Sequence, residues 1–458
     1  MTAVPKYSNI AVIDIGKTNA KLALVDAERM IEIAVVTRPN RILNQDPYPQ
    51  FDLEGHWDFL VENLAKFQAS QGVDAISVTT HGASVVLLDK DGELVTPMLD
   101  YEHAAPDVLA EDYNRLRPSF DETGSPRLSG GLNVGAQLHW LFHCDVDLLD
   151  KTEHIITYPQ YWGYKLTGHL ACDVTSLGCH TDLWNPILGE PSSLVKKLGI
   201  EDKLAPARMS SDVLGTVTQE VSDQTGIPTT VPVVCGIHDS NASLVPYLKG
   251  EARPNSVVST GTWVICMSLN DGHVRLDPTK DCLVNVNAVG NAVSSARFMG
   301  GREFELVTEG VFEPPAPEDR RAVLQQGIML QPAVVAESGP FAGKSGGWNK
   351  QPQTVGERNY ALSLYLALMT NHCLDLAGAN DPVVVEGPFA QNCDYIETLA
   401  ALRAKPVHLS DSATGTSIGA AMLLQSSDSQ VSLRSCPARN DQDLQKYCQN
   451  WKALTSEK

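Results

Sequence analysis

Hydrophobic residues in this chain gather in short β-branched runs separated by polar, glycine-containing tips. Residues 10–25 read Ile-Ala-Val-Ile-Asp-Ile-Gly-Lys-Thr-Asn-Ala-Lys-Leu-Ala-Leu-Val. The first run has strand length, and the second alternates, with Lys21 and Ala23 on one side and Leu22 and Leu24 on the other. Gly16 lets the backbone turn without a Cβ clash. The pattern predicts a β-hairpin with Asp14, Lys17, Thr18 and Asn19 at its tip. A third strand is expected over 31–36 and a Pro- and Asn-rich loop over 38–51. A helix is expected over 56–67, with Trp57, Leu60, Val61, Leu64 and Phe67 on one face. Residues 75–78 and 85–88 read as strands, the first ending in Thr79-Thr80-His81-Gly82. Helical patterns follow at 130–143 and 159–168, the latter stopped by Gly168.

The second half repeats the opening unit. Residues 231–235 form an apolar run that ends in Gly236-Ile237-His238-Asp239. Residues 256–265 then read as strand, Gly/Thr tip and strand, followed by a turn signal at Asn270-Asp271-Gly272. One supersecondary unit per half is more specific than either tip alone. Residues 360–376 are apolar nearly all round and predict a buried helix. Strands are expected at 382–386 and 406–409, a surface loop at 337–353, and a small-residue helix from Thr414.

Composition narrows the class. A chain of 458 residues with 43% apolar residues has room for two domains. The formal net charge of −20 argues against a nucleic-acid partner. Ten cysteines without a C-x-x-C pair fit buried thiols in a reducing compartment. No signal-peptide pattern and no membrane-length apolar run is present, so a soluble cytoplasmic protein without a membrane partner is expected.

Some tips suit chemistry. Backbone N–H groups and short hydroxyls can cradle phosphate, Lys17 adds positive charge, and Asp14 can hold a divalent cation. An ordinary polar hairpin explains the same residues. Asp239 can accept a proton from a substrate hydroxyl or can cap a helix. His81 is a substrate contact or a turn histidine. Asp100-Tyr101-Glu102-His103 faces a ligand or solvent.

Five stretches in order resemble the FGGY carbohydrate kinases of the actin-like ATPase superfamily: Asp14-Ile-Gly-Lys-Thr-Asn19, Thr80-His-Gly82, Gly236-Ile-His-Asp239, Ser259-Thr-Gly-Thr262, and 387–392 with the later Gly415. The resemblance implies an α/β protein of two actin-like, ribonuclease H-like domains, each a mixed sheet flanked by helices, with a cleft between them. It implies a sugar-binding domain over 1–243 and a nucleotide-binding domain over 244–458. It further implies ATP and Mg²⁺, a small-molecule sugar substrate and a homodimer. Carried over by position, Asp239 is the catalytic base, and Asp14 and Asp239 face the metal. Gly16, Lys17, Thr18, Asn19, Thr260, Gly261, Thr262, Gly387, Gln391 and Asn392 bind the nucleotide. His81, Gly82, Asp100, Gln160 and Asp239 face the sugar.

The Gly-x-Thr-Asn-x-Lys tip is similar to kinases of deoxy-ketoses such as L-fuculose and L-rhamnulose. Departures lie at Gly387-Pro388-Phe389, where a glycine triplet is usual, and at Lys17. On the sugar side they lie at Asp100-Tyr-Glu-His103 and at Gln160-Tyr161. Kinases of xylulose, ribulose or erythritol, and an actin-like ATPase acting as a sugar sensor, are the competing readings.

Overall fold

The computed structural model describes residues 7–248, 254–269, 274–410, 415–425, 433–438 and 440–456. The turn signal at 270–272 and Thr414 lie outside them. The chain divides into two units. One comprises Met1–Lys249, Val284–Ala292 and Thr414–Ser429; the other comprises Gly250–Leu283, Val293–Ala413 and Gln430–Lys458.

The first unit is built on a seven-stranded mixed sheet. Its strands are β1 (Asn9–Ile15), β2 (Asn19–Asp26), β3 (Ile31–Pro39), β4 (Ala75–Thr80), β5 (Val213–Thr216), β6 (Pro232–Val234) and β7 (Ile237–His238). The order is β5-β6-β4-β1-β2-β3, with β7 also paired to β4. Antiparallel β1 and β2 put Asp14 opposite Lys21, and parallel β1 and β4 put Asp14 beside Thr79.

Helix α1 (Leu53–Ser70) covers one face. Its N-cap Asp52 accepts a hydrogen bond from Gly55 N at 2.9 Å, so it starts earlier than the apolar pattern suggests. Its buried stripe is Leu53, His56, Leu60, Asn63, Leu64 and Phe67. Trp57 and Val61, expected on that stripe, are only partly buried. The stripe turns toward His56 because that imidazole bonds Arg38 and Asn40, each at 2.9 Å. The short helix Gly415–Met422 covers the other face, where Ala420 and Ala421 join Ile10, Val12 and Val25 in one core.

A second seven-stranded sheet, all in the second unit but for residues 284–286 and 292, has strands β8 (Ser256–Thr260), β9 (Val264–Ser268), β10 (Cys282–Val286), β11 (Ala292–Phe298), β12 (Val383–Glu386), β13 (Val407–Ser410) and β14 (Leu433–Cys436), in the order β10-β11-β9-β8-β12-β13-β14. In each unit a central hairpin strand pairs antiparallel on one side and parallel on the other. Two parallel strands and an antiparallel edge strand complete that side. The two sheets therefore share one six-stranded supersecondary unit, to which the first adds β7 and the second adds β10. Strand β11, not the strand that comes next in the chain, pairs with β9, and β10 is an extra outer strand. The 22-residue helix Val355–Leu376 is buried on nearly every side, as its composition requires. No helix among the described residues is long and apolar enough to cross a membrane.

Candidate active site

In the first unit, β1, β4 and β7 run side by side. Asp14 and Ile237 flank Thr79, and Ile15 and His238 flank Thr80. The residues that follow, Gly16 to Asn19, His81-Gly82 and Asp239, therefore emerge together from the carboxyl ends of parallel strands. Open α/β sheets bind ligands at such ends.

The β1–β2 tip is closed by the Gly16 N–H, which donates to the Asn19 carbonyl at 2.9 Å. Asn40 holds the tip from outside, donating to the Gly16 carbonyl at 2.8 Å and to the Thr18 carbonyl at 2.9 Å. Thr18 and Asn19 are exposed at the turn. The Asp14 carboxylate accepts from Lys21 at 3.1 Å and from Ser417 at 3.0 Å, both through Oδ2. Burial holds its pKa above the ordinary value against the pull of Lys21, and the nearby Asp239 charge adds to the rise.

Lys17 turns away from solvent. It pairs with Asp100, and with Glu102 at 3.1 Å. Its ammonium also lies 4.5 Å from the Tyr101 ring centre and 5.1 Å from that of Phe51. The structure thus joins Lys17 to Asp100, a residue expected on the sugar side. Phe51, Tyr101 and Tyr158 surround the His81 ring at centroid distances of 4.8, 5.2 and 5.0 Å. Burial lowers the His81 pKa to about 4, so the ring is neutral at pH 7. Its Nδ1 lies 2.9 Å from the Gly82 carbonyl and carries the proton. Its Nε2, left as an acceptor, is buried with no partner among the described residues. Gln160 lies in the interior, accepting from Thr157 Oγ1 and donating to the Cys235 carbonyl at 2.8 Å. It has no exposed surface.

Asp239 is the first residue of the short helix Asp239–Ala242, and its Oδ1 accepts from Ser240 N at 2.6 Å. His238 Nε2 lies 3.1 Å from the same oxygen. Burial works to raise the Asp239 pKa, but the charge and hydrogen bond of His238, with His81 and the Ser240 N–H, hold it below the usual carboxylate range. His238 is held well above its ordinary value, because Cys179 and Asp239 outweigh its burial. Asn241 serves either ring state: its Nδ2 lies 3.1 Å from Nδ1, and its Oδ1 has no partner among the described residues.

In the second unit, the Gly261 N–H donates to the Trp263 carbonyl at 2.9 Å and closes the β8–β9 tip. Thr260 is buried: its hydroxyl donates to the Glu386 carbonyl at 2.5 Å and accepts from Phe389 N at 3.1 Å. Gly261 and Thr262 are exposed. Gly387 has φ +83°, and a Cβ there would stand 2.0 Å from the Thr260 carbonyl oxygen. Gly301, at the start of the helix Gly300–Thr308, approaches Gly261 as closely, and its N–H donates to the Thr262 carbonyl at 3.1 Å. Asn392 caps the helix Cys393–Arg403, accepting from Tyr395 N at 3.1 Å and donating to Ser363 at 3.0 Å. Gln391 is exposed.

Sequence reasoning passed over His238, Cys179, Asn40 and Gly301. Only Gly301 carried a signal, a Gly-Gly pair directly after a strand. No cluster of three or more His, Cys, Asp or Glu side chains able to hold a metal lies among the described residues. Among those residues Asp14 Oδ1 accepts no hydrogen bond, and Asp239 adds a second carboxylate nearby. One or two carboxylates that share a cation with phosphate oxygens suit Mg²⁺.

Residues 9–246 match the profile of the FGGY family of carbohydrate kinases, N-terminal domain, and residues 252–432 match that of carbohydrate kinase FGGY, C-terminal domain. The chain is 24% identical over 276 residues to an L-fuculokinase of Escherichia coli, the match covering 57% of each. It is 28% identical over 276 residues to a rhamnulokinase of Pectobacterium atrosepticum, covering 56% of this chain and 52% of the relative. The chain thus spans little more than half the length of these curated relatives. A carbohydrate kinase from Novosphingobium aromaticivorans of known structure is 34% identical, with TM-score 0.91 over 99% of both chains.

Proposed function

Because the chain belongs to the FGGY family of carbohydrate kinases, we propose that it moves the γ-phosphoryl group of ATP to a hydroxyl of a small sugar. The acceptor we assign is the primary hydroxyl of a ketose or deoxy-ketose, such as L-fuculose or L-rhamnulose. Residues 1–243 take the sugar and 244–458 the nucleotide. The observation that carries this reading is the half-buried Asp239 carboxylate, held by His238 at 3.1 Å and sharing its strand-end cluster with His81, whose buried Nε2 has no partner among the described residues.

In this reading His81 Nε2 accepts a hydrogen bond from a sugar hydroxyl. The Phe51, Tyr101 and Tyr158 rings give the sugar an apolar wall, which suits a deoxy-sugar methyl group. Lys17 and Asp100 fix that wall. Asp239 orients the acceptor hydroxyl and takes its proton as the new bond forms. Its low pKa suits a loose transition state, in which the base has little proton to remove early. In the first unit Thr18 and Asn19 offer backbone N–H groups and a hydroxyl suited to phosphate; in the second Gly261 and Thr262 do the same, and Gly387 lets its turn close against Thr260. Asp14 and Asp239 would hold Mg²⁺, which neutralises charge on the phosphates.

The test is sugar-dependent ADP release from MgATP across ketoses, deoxy-ketoses and polyols, with a no-sugar control. A strong rise with one deoxy-ketose is expected. A rate indifferent to every sugar overturns the kinase reading in favour of an ATPase switch, and a rise with a polyol alone overturns the substrate class.

A further inference from the structure

The candidate base has a support behind it. His238 Nε2 faces two atoms, Asp239 Oδ1 at 3.1 Å and Cys179 Sγ at 3.6 Å. The carboxylate is the stronger acceptor and takes the Nε2 proton, while the sulfur packs against the same nitrogen. Both His238 and Cys179 are buried. Each is anchored through one buried carboxylate. Asp173 accepts from Thr175 N and Ser176 N, each at 3.0 Å, and so caps the turn Val174–Leu177 that leads to Cys179. The Thr175 hydroxyl donates to Asp173 at 2.5 Å and accepts from His238 N at 3.0 Å. Gly82 closes the remaining side: a Cβ there would stand 2.9 Å from His238 Nε2 and 3.3 Å from Cys179 Sγ.

We propose that Cys179 is a positioning residue for phosphoryl transfer, its sulfur bracing the His238 ring so that the ring holds the Asp239 carboxylate in place. The catalytic consequence rests on the assignment of Asp239 as the base; the brace itself does not. Removing the sulfur leaves the ring free to pivot, and a small displacement of a catalytic group lowers the rate without altering nucleotide binding.

Two measurements test it. In kinetics, Cys179→Ala is expected to lower kcat about tenfold with the KM for ATP unchanged, and Cys179→Ser to recover part of the loss. In a His238→Ala background, Cys179→Ala should cost nothing further, because its effect passes through the ring. A wild-type kcat in Cys179→Ala, or an equal loss in both backgrounds, overturns the proposal. In NMR of the histidine ring nitrogens, with His238 assigned through His238→Asn, Cys179→Ala should shift the signals of His238 and of His180, which also meets the sulfur, and leave the more distant histidines in place. An unmoved His238 signal overturns the brace. If no sugar supports turnover, the kinase reading fails, and the ring spectrum still decides whether the sulfur holds the imidazole.

Discussion

Asp239 and Gly82 carry the sharpest expectations at the scale of single residues. Asp239→Asn keeps size and most hydrogen bonding but removes the proposed base. A positioned base contributes about 10²–10⁴-fold, so kcat should fall by that range with ATP affinity kept, measured by ADP release and nucleotide titration. Near-normal turnover would remove Asp239 from the mechanism. Gly82→Ala acts at one remove. Its methyl group would press on His238 at 2.9 Å, within a site closed by buried groups. Turnover should fall more than about tenfold while the melting temperature shifts by only a few degrees. A wild-type rate would show that the ring moves aside freely. Asp239 and His81 were legible in the sequence as polar residues at strand ends. Their shared neighbour His238 was not, because adjacency across β4 and β7 depends on register and leaves no trace in either segment.

The two hairpin tips resemble one another at the scale of elements, and the second depends on close backbone approach. Gly387 and Gly301 reach the β8–β9 tip at distances no side chain tolerates. Gly387→Ala adds a left-handed φ to that clash, so it should weaken ATP binding at least about tenfold and lower the melting temperature. Isothermal titration with nucleotide checks the first and calorimetry the second; unchanged binding would separate this loop from the nucleotide. The tips and flanking strands were readable from alternation and glycine placement. The expected stripe of α1 holds at Leu60, Leu64 and Phe67, with Trp57 packed at its edge, but it missed His56 and Asn63, because periodicity counts only apolar side chains.

Buried histidines set part of the pH response of the whole molecule. Burial and the neighbouring Arg38 guanidinium lower the His56 pKa from its ordinary value to about 4. The unfolded chain binds the proton from about pH 6.5 downward, and the folded chain only near pH 4. Stability from this group is therefore complete above pH 6.5 and lost as pH falls toward 4, by roughly 3 kcal/mol in all. Urea midpoints for the wild type should drop between pH 6.5 and 4.5, and His56→Asn should flatten that drop. Equal slopes in the two proteins would show that His56 is protonated in the folded state.

Alternation, glycine punctuation and turn residues were enough to specify the central strands and the repeated hairpin unit, and the family showed through five short stretches that resemble it. Those features act over a few residues, where local sterics and burial on one face decide the conformation. Sheet order, the extra strand β10, the pairing of Lys17 with Asp100, the burial of Gln160 and the Cys179–His238–Asp239 contact came only with the folded chain. Each joins residues tens of positions apart, and such contacts depend on which strands lie side by side, a choice made by packing across the whole sheet rather than by any local pattern.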